Sequence, residues 1–247
     1  MIVTAHKTPK VAIGDDMLPL LSTRLPAIAE GDIVVVTSKI VSICQGRVVK
    51  NDGTVDKYEL IRKEADRYLE DDRLSAYGIV LTIKDHTLIA SAGIDESNGN
   101  GYFILWPKNV HQMAADIWAF LRKRYTLKNL GVIITDSHTT PLRWGTTGIG
   151  IAWCGFEPLK NYIGTPDIFG RNLHVTKASM LDGLAGAAVA VMGEGNEQTP
   201  LAVIRDVPFV TFQTHPPTGK EIAALQISLK DDIYAPLVDS PKWKTKK

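Results

Sequence analysis

Cysteine is scarce in this sequence, and long apolar runs are absent. The chain has two cysteines, Cys44 and Cys154, and neither belongs to a CxxC pair. This usage excludes a disulfide framework, gives no signal for a zinc site and is typical of a reducing cytoplasm. No stretch of about 18 residues is apolar throughout, and the N-terminus lacks the apolar core of a signal peptide. We therefore expect a soluble protein of the cytoplasm with no membrane partner.

An excess of charge of either sign is also missing. The chain carries 28 Lys and Arg against 27 Asp and Glu, which gives a formal net charge of +1. No overall field attracts nucleic acid, so we expect no nucleic-acid partner. The basic stretch at residues 242–247 is predicted to be a solvated chain end. With 45% hydrophobic and 22% charged residues, the composition is typical of a globular protein with a buried core.

The familiar nucleotide-binding motifs do not occur. Gly219-Lys220 is followed by Glu221, so there is no GxxxxGK[ST] loop, and no GxGxxG follows a predicted strand. His138 and His174 lack the spacing of a metal-binding pair. A protein of this sequence that uses a nucleotide must therefore use a less common architecture.

Strand-like and helix-like segments are mixed along the chain without a fixed period. This mixture predicts an α+β or α/β protein without internal repeats. No linker marks a boundary, so residues 1–247 are treated as one unit. Strands are predicted at residues 33–37, 79–83, 88–92, 102–106, 130–135, 148–155, 201–205 and 209–212. Helices are predicted from Ser38 to about Gly46 and at residues 58–74, 107–125 and 178–192.

Three short segments combine carboxylates with turn-forming residues. Taken alone, each is a capped turn, because Gly, Asn, Asp and Ser favour turns. Carboxylates from separate segments are also how a fold gathers oxygen ligands for Mg²⁺ or Mn²⁺ beside nucleotide phosphates. The residue types leave both interpretations open. The segments are Asp95-Glu96 within AGIDESNGNG, Asp136-Ser137 after the strand at residues 130–135, and Glu194 with Glu197 after the helix at residues 178–192.

Four sequence blocks occur in the order found in one known family. They are residues 31–42 (GDIVVVTSKIVS), 92–98 (AGIDESN), 132–137 (VIITDS) and 191–194 (VMGE). Together they resemble the coenzyme F420-0:L-glutamate ligases, a group of γ-glutamyl ligases. The resemblance extends over residues 14–210, and AGIDESN is its most specific part.

The resemblance implies a fold, an assembly and a reaction. The fold would be α+β with two interleaved portions, and two chains would intertwine as a homodimer. The reaction would add L-glutamate to a carboxylate-bearing pterin or deazaflavin acceptor such as F420-0. It would use GTP (or ATP) to form an acyl phosphate, together with Mg²⁺ or Mn²⁺ and K⁺.

Site residues follow from the resemblance by position. The divalent-metal ligands would be Asp95, Asp136 and Glu194, with Ser137 where the family usually has threonine. Asp95 and Asp136 would act in catalysis with Arg143, which stands at the family's second arginine. The nucleotide would be contacted by Lys7 within residues 7–10, by Ser38, Lys39 and Asn98, and by Met192, Gly193, Gly195 and Asn196 within residues 192–199.

Two departures from the family pattern leave the acceptor and the activity open. Ile43 replaces a family lysine, which leaves a non-catalytic relative that binds nucleotide or cofactor as one alternative. Residues 137–141 read SHTTP where the family has threonine, phenylalanine, glycine, arginine and proline, which leaves a folate-type polyglutamate ligase as the other. His138 is a candidate base for the amine of glutamate, although a lone loop histidine is more often structural.

Overall fold

The structure is a computed structural model that describes residues 1–71, 77–239 and 242–245. Helices and strands are mixed along the chain, which confirms the predicted α+β class. No helix in these ranges combines the length and the apolar character needed to cross a bilayer.

The strands are β1 (Ile2–His6), β2 (Ile33–Thr37), β3 (Val48–Lys50), β4 (Arg67–Leu69), β5 (Leu81–Lys84), β6 (Thr87–Ala90), β7 (Tyr102–Ile104), β8 (Gly131–Thr139), β9 (Thr146–Cys154), β10 (Leu159–Asn161), β11 (Lys177–Ser179) and β12 (Leu201–Arg205). The helices are α1 (Met17–Arg24), α2 (Ser38–Cys44), α3 (Lys57–Glu64), α4 (Val110–Tyr125), α5 (Met180–Met192), α6 (Gly219–Leu225) and α7 (Ala235–Val238). A 3-10 turn spans Ser91–Gly93.

A five-stranded sheet with the order β1-β12-β2-β8-β9 forms the centre of the fold. β2 and β8 are parallel, and the other neighbouring pairs are antiparallel. β2 reads IVVVT, and its first four side chains are buried. A continuous β-branched strand is what a sheet covered on both faces requires. Because β2 and β8 are parallel, their carboxyl ends meet at one edge of the sheet.

Helices cover both faces of this sheet. On one face, α1, α2 and α4 enclose a core that includes Leu21 and Trp118. On the other face, α5 packs against the sheet through residues such as Leu181. A Cβ atom at Gly148 of β9 would lie 2.4 Å from the carbonyl oxygen of Ala185, so only glycine allows α5 to approach this closely.

Residues 48–105 form a smaller portion inserted between α2 and α4. It contains the β3–β7 pair and the three-stranded sheet β4-β5-β6, and α3 contributes to its separate hydrophobic cluster through Ile61. The hydroxyl of Ser42 in α2 donates to the carbonyl of Leu105 at 2.6 Å, which fastens this portion to the central sheet. The inserted portion therefore carries the AGIDESN segment against α2.

The helix predicted at residues 58–74 is wrong beyond its first half. α3 ends at Glu64, and Arg67–Leu69 is strand β4, which pairs with β5. The main chain of Tyr68 also exchanges two hydrogen bonds with Lys244. These pairings are between distant parts of the chain and override the helical spacing of the apolar residues. Residues 72–74 of the prediction lie outside the described residues, as do residues 246–247 of the predicted basic end.

Two further boundaries differ from the prediction. The helix expected from residue 107 begins at Val110, because Asn109 is left-handed (φ 51°) and interrupts the helical conformation. The strand expected at residues 209–212 is wrong, because Phe209 has a φ of 65° and only Phe212 forms a single bridge, to Phe156. The hairpin around residues 84–86 is confirmed, as are the strands at residues 33–37 and 201–205.

Candidate active site

β8 is longer than the sequence indicates, and Asp136 lies inside it. The sequence places Asp136 at the end of a strand and a polar loop at residues 137–145. In the structure Ser137, His138 and Thr139 pair with β9, so the loop shrinks to residues 140–145. The strand prediction was too short because polar residues on a protruding hairpin need no apolar pattern. Between Ile134 and Thr135 the register shifts, because Ile151 is an extra residue in β9 at this point.

Asp136 is a half-buried carboxylate without an ion-pair partner in the described part of the chain. The Ser38 hydroxyl donates to its Oδ2 at 2.9 Å, and the Ser137 N–H donates to its Oδ1 at 2.7 Å. Burial raises the pKa of Asp136 to about 6, and the charge of Asp95 acts in the same direction. The two hydrogen bonds and the charge of Lys39 oppose this shift without cancelling it. The charge of Lys39 is therefore too small to offset the effect of burial on Asp136, and a bound cation would supply further positive charge.

Asp95 is held by Lys39 and by its own turn. Lys39 Nζ lies 2.6 Å from Asp95 Oδ2 and donates to the Ser97 hydroxyl at 3.0 Å and to the Ser97 carbonyl at 3.2 Å. The Ser97 N–H donates to Asp95 Oδ1 at 2.7 Å. Burial alone would raise the pKa of Asp95, but the hydrogen bond and charge of Lys39, with the bonds from Ser97, lower it. Ser38 and Lys39 are consecutive, so the first turn of α2 joins Asp136 to Asp95.

The third acidic segment joins the same cluster. The Ser137 hydroxyl donates to Glu194 Oε1 at 2.7 Å, and Asn98 Nδ2 donates to the Gly195 carbonyl at 2.9 Å. The loop is stabilised from within, because the Gly195 N–H donates to Glu197 at 2.8 Å. The three segments that the sequence singled out therefore converge, and we call Asp95, Asp136, Glu194 and their hydrogen-bonded partners the acidic corner.

The N-terminal segment runs beside the loop that follows α5. The Thr8 N–H donates to the Gln198 carbonyl at 3.0 Å, and Thr8 is buried while Lys7 is exposed. Asn196 is exposed in the loop, and Gly193 is left-handed (φ 79°). The side chain of Met192 is buried in the core, so only its main chain lies on the loop side.

Arg143 is not brought to the acidic corner. It is exposed at the tip of the β8–β9 hairpin, and its side chain forms no hydrogen bond or ion pair within the described residues. His138 lies on the same hairpin, where its Nδ1 is buried without a hydrogen-bond partner. Ile43 is half-buried in α2.

Ser97 is a site residue that sequence reasoning missed. Its hydroxyl and its carbonyl accept hydrogen bonds from the Lys39 ammonium group, and its N–H donates to the Asp95 carboxylate. Ser97 belongs to the AGIDESN block, so its position beside Asp95 was a usable signal. The contact between Ser97 and Lys39 could not be predicted from the sequence, because these residues are 58 positions apart.

The donor atoms of the acidic corner fit a hard divalent cation. Carboxylate and hydroxyl oxygens are the ligands that Mg²⁺ and Mn²⁺ prefer, and Asp136 lacks a neutralising partner. Across the described ranges, no three carboxylate, histidine or cysteine side chains are already placed to hold an ion. Two of the carboxylates are instead occupied within the chain, Asp95 by Lys39 and Glu194 by Ser137.

One protein family matches most of this chain. A family model described as F420-0:Gamma-glutamyl ligase matches residues 6–206, which contain every residue of the acidic corner. The chain belongs to this family. The match begins a few residues before the start of the resemblance at residue 14 and includes Lys7.

Three similar proteins are each named Coenzyme F420:L-glutamate ligase. The protein of Methanococcus maripaludis (strain C7) is 34% identical over 236 residues, which cover 90% of this chain and 93% of that protein. The protein of Methanosarcina barkeri (strain Fusaro) is 33% identical over 218 residues, with coverages of 82% and 84%. The protein of Methanosarcina mazei is 30% identical over 222 residues, with coverages of 84% and 86%.

Proposed function

We propose that this protein is a nucleotide- and metal-dependent γ-glutamyl ligase that adds L-glutamate to the carboxylate of an F420-0-like acceptor. Membership of the family and the names of its relatives support this activity. The observation that carries the proposal is the convergence of three distant acidic segments on the first turn of α2. A cytoplasmic location remains a prediction from the sequence.

The chemistry requires activation of the acceptor, because an amine does not displace oxide from a carboxylate at neutral pH. A carboxylate oxygen of the acceptor attacks the γ-phosphorus of GTP (or ATP), and the bond from that phosphorus to the bridging oxygen breaks, which releases the nucleoside diphosphate. The amine of glutamate then attacks the acyl carbon. The carbon–oxygen bond to phosphate breaks, the nitrogen loses a proton, and an amide results.

The acidic corner supplies the residues for the first step. Mg²⁺ or Mn²⁺ bound by Asp95, Asp136 and Glu194, with Ser137, would neutralise charge on the transferred phosphoryl group. Ser38 keeps the Asp136 carboxylate in one orientation through its hydrogen bond. Lys39 forms an ion pair with Asp95. If a metal ion replaces Lys39 at this carboxylate, the Lys39 ammonium group would be free to bind a phosphate oxygen.

The nucleotide would lie along the loop at residues 193–199. The hydrogen bond from Asn98 joins this loop to the AGIDESN turn, so the two segments are already in contact without a ligand. Lys7 is exposed beside the loop and offers a further cation for the phosphates. The use of GTP rather than ATP and a requirement for K⁺ are part of the proposal on the ground of the family resemblance.

We also propose that the protein acts as a homodimer. Leu142 and Trp144 are fully exposed at the tip of the β8–β9 hairpin, beside Arg143. Exposed large apolar residues at the end of a projecting hairpin favour contact with another protein surface. A second copy that covers this tip would bring Arg143 to a partner surface, which accounts for its distance from the acidic corner of its own chain.

A ligation assay with mass-spectrometric detection tests the proposed function. The purified protein is given Mg²⁺ or Mn²⁺, K⁺, L-glutamate and GTP or ATP, with F420-0 and a monoglutamyl folate as separate acceptors. We expect glutamylated F420-0, and we expect the rate to fall by at least about 100-fold in Asp136→Asn. Glu96→Gln is the matched control, because Glu96 is adjacent to Asp95 but pairs with Lys57.

The assay also separates the alternatives. Glutamylated folate without glutamylated F420-0 would show that the altered residues 137–141 accompany a changed acceptor. No product from either acceptor, with nucleotide bound and metal present, would contradict the proposal and favour a binding protein without ligase activity.

A further inference from the structure

A second polar cavity lies beyond the other end of α2. Its volume is about 320 Å³, within the range of small-ligand pockets. Lys39 lies in the first turn of α2 at the acidic corner, whereas Arg47 lies just after the helix and lines the cavity. α2 is seven residues long, so the two places are separated by about 10 Å along its axis. The cavity is therefore distinct from the acidic corner.

Positive charge exceeds negative charge in the cavity wall. Four cationic side chains line it, Arg47, Lys63, Lys84 and Lys108, together with two carboxylates, Glu64 and Asp85. Both carboxylates are already used within the protein. Glu64 lies 2.6 Å from the Arg47 guanidinium, and Asp85 Oδ2 accepts the indole N–H of Trp106 at 2.8 Å.

The lysines of the cavity are poorly neutralised. The side chain of Lys84 is only 14% exposed, and its ion pair is a long one, with 3.8 Å between Nζ and Asp66 Oδ1. Lys63 and Lys108 form no ion pair with any of the described residues. Lys63 and Lys108 are exposed, whereas the ammonium group of Lys84 is enclosed without a close anion, which favours an anionic ligand at this wall.

The start of α4 adds to this preference. Lys108 and Asn109 line the cavity and directly precede the helix, which is 16 residues long. Asn109 makes no side-chain cap, and the first turn contains no acidic residue. The charge of Asp85 reaches this turn at His111, but no acidic residue within the turn itself neutralises the positive end of the helix.

We propose that this cavity binds the phosphate group of a small phosphate ester. Lysines act as point charges that suit a phosphate, whereas recognition of a carboxylate relies more on the two-pronged contact of arginine. The fork of Arg47 already binds Glu64 and donates to the Trp106 carbonyl at 3.2 Å, so it is not free for a ligand carboxylate. The cavity volume of about 320 Å³ is large enough for a phosphate together with a sugar-sized group. This proposal stands apart from the proposed ligase activity and uses none of its residues.

The indole N–H of Trp106 offers a local readout for binding. It donates to Asp85 in the cavity wall, so an anion among the lysines shifts its resonance in a ¹H–¹⁵N spectrum. The resonance is assigned with Trp106→Phe. Inorganic phosphate, ribose 5-phosphate and L-glutamate are titrated separately at low ionic strength, with EDTA and without nucleotide, so that the acidic corner holds no metal.

We expect saturable shifts with inorganic phosphate and ribose 5-phosphate, and none with L-glutamate. The double variant Lys63→Gln/Lys108→Gln is expected to weaken phosphate binding by at least about tenfold. The control Lys123→Gln/Lys220→Gln removes two exposed lysines elsewhere and is expected to bind as the unmodified protein does. Absence of a saturable shift, equal weakening in both double variants, or tighter binding of L-glutamate than of phosphate would overturn the proposal.

Discussion

At the scale of single residues, the acidic corner is arranged for a ligand rather than for stability. Asp136 is half-buried near Asp95, and within the described residues its carboxylate receives two hydrogen bonds, from Ser38 and Ser137. A buried carboxylate without a cation is unfavourable, and proteins keep such groups mainly where function needs them. The two aspartates of the corner should therefore respond to pH in opposite ways.

Asp136→Asn is expected to stabilise the metal-free protein. The pKa of Asp136 is raised to about 6 from an ordinary 3.8, so the folded state binds this proton more tightly than the unfolded state. Folding stability therefore decreases as pH rises from about 4 to about 6 and stays level above that. The substitution should add up to about 3 kcal/mol near pH 8 and nothing near pH 4, measured by urea unfolding with EDTA.

Asp95→Asn is the matched comparison, with the opposite sign. Lys39 and Ser97 lower the pKa of Asp95, so its contribution to stability is present above the ordinary pKa and is lost as pH falls through the lowered one. This variant should be less stable than the unmodified protein near pH 8. Equal effects of the two substitutions would contradict the different environments assigned to them.

Gly93→Ala is expected to destabilise the protein by about 2–4 kcal/mol. Gly93 has a φ of 69°, and a Cβ atom there would lie 2.3 Å from Cε3 of the buried Trp106. Gly46→Ala is the control, because its φ is 66° and its Cβ would have no neighbour within 4 Å. The control should cost about 1 kcal/mol. Similar losses in chemical denaturation would show that backbone strain, and not the contact with Trp106, decides the effect.

At the scale of elements, α2 organises the site. Its first turn holds Asp136 through Ser38 and Asp95 through Lys39, and Ser42 fastens the inserted portion. The sequence was informative about this helix, because an apolar strand followed by Ser-Lys marks a strand end and a helix start. It was also informative about each acidic segment, since clusters of glycine, asparagine and carboxylates are visible locally.

Features that depend on distant pairing were not predictable. Strand β4 was mistaken for helix because its partners, β5 and Lys244, are remote in the sequence. The prediction ended β8 too early, because the polar second half of this strand is recognisable only from its pairing with β9. The convergence of the acidic segments likewise rests on contacts such as Asn98 with Gly195, 97 positions apart. Local pattern therefore gave the acidic segments, the family resemblance gave Ser38, Lys39 and Asn98, and only the fold could show which of them meet.

Asn98→Ala is expected to loosen the loop at residues 193–199. The substitution removes the hydrogen bond to the Gly195 carbonyl, which joins this loop to the AGIDESN turn. Hydrogen exchange of the loop amides, measured by mass spectrometry, should become faster. Asn100→Ala is a close control, since Asn100 is also left-handed (φ 49°, against 57° for Asn98) and its side chain makes no hydrogen bond within the described residues. Equal acceleration in both variants would refute a specific link between turn and loop.

At the scale of the whole molecule, the β8–β9 hairpin carries the strongest sign of an assembly. Its tip exposes Leu142 and Trp144 completely, while the same hairpin carries Asp136 and Ser137 at its base. Contact of the tip with a second copy would couple the acidic corner to the dimer.

Leu142→Ser/Trp144→Ser is expected to convert a dimer into a monomer. Removing two large apolar side chains from a small contact surface takes away most of its favourable burial. Light scattering after size-exclusion chromatography should give the mass of two chains for the unmodified protein and of one chain for the double variant. Leu237→Ser, an exposed apolar residue in α7, should leave the dimer intact. A monomeric unmodified protein, or a double variant that stays dimeric, would contradict this role of the hairpin.

The central claim is that Asp95, Asp136 and Glu194 form one divalent-cation site. Titration of the metal-free protein with Mn²⁺, followed by electron paramagnetic resonance near pH 8, tests it without any substrate. The account predicts one site of highest affinity and at least about tenfold weaker binding in each of Asp95→Asn, Asp136→Asn and Glu194→Gln. Glu96→Gln should bind as the unmodified protein does. Binding that survives unchanged in any one of the three acidic-corner variants would contradict the claim that their carboxylates share an ion.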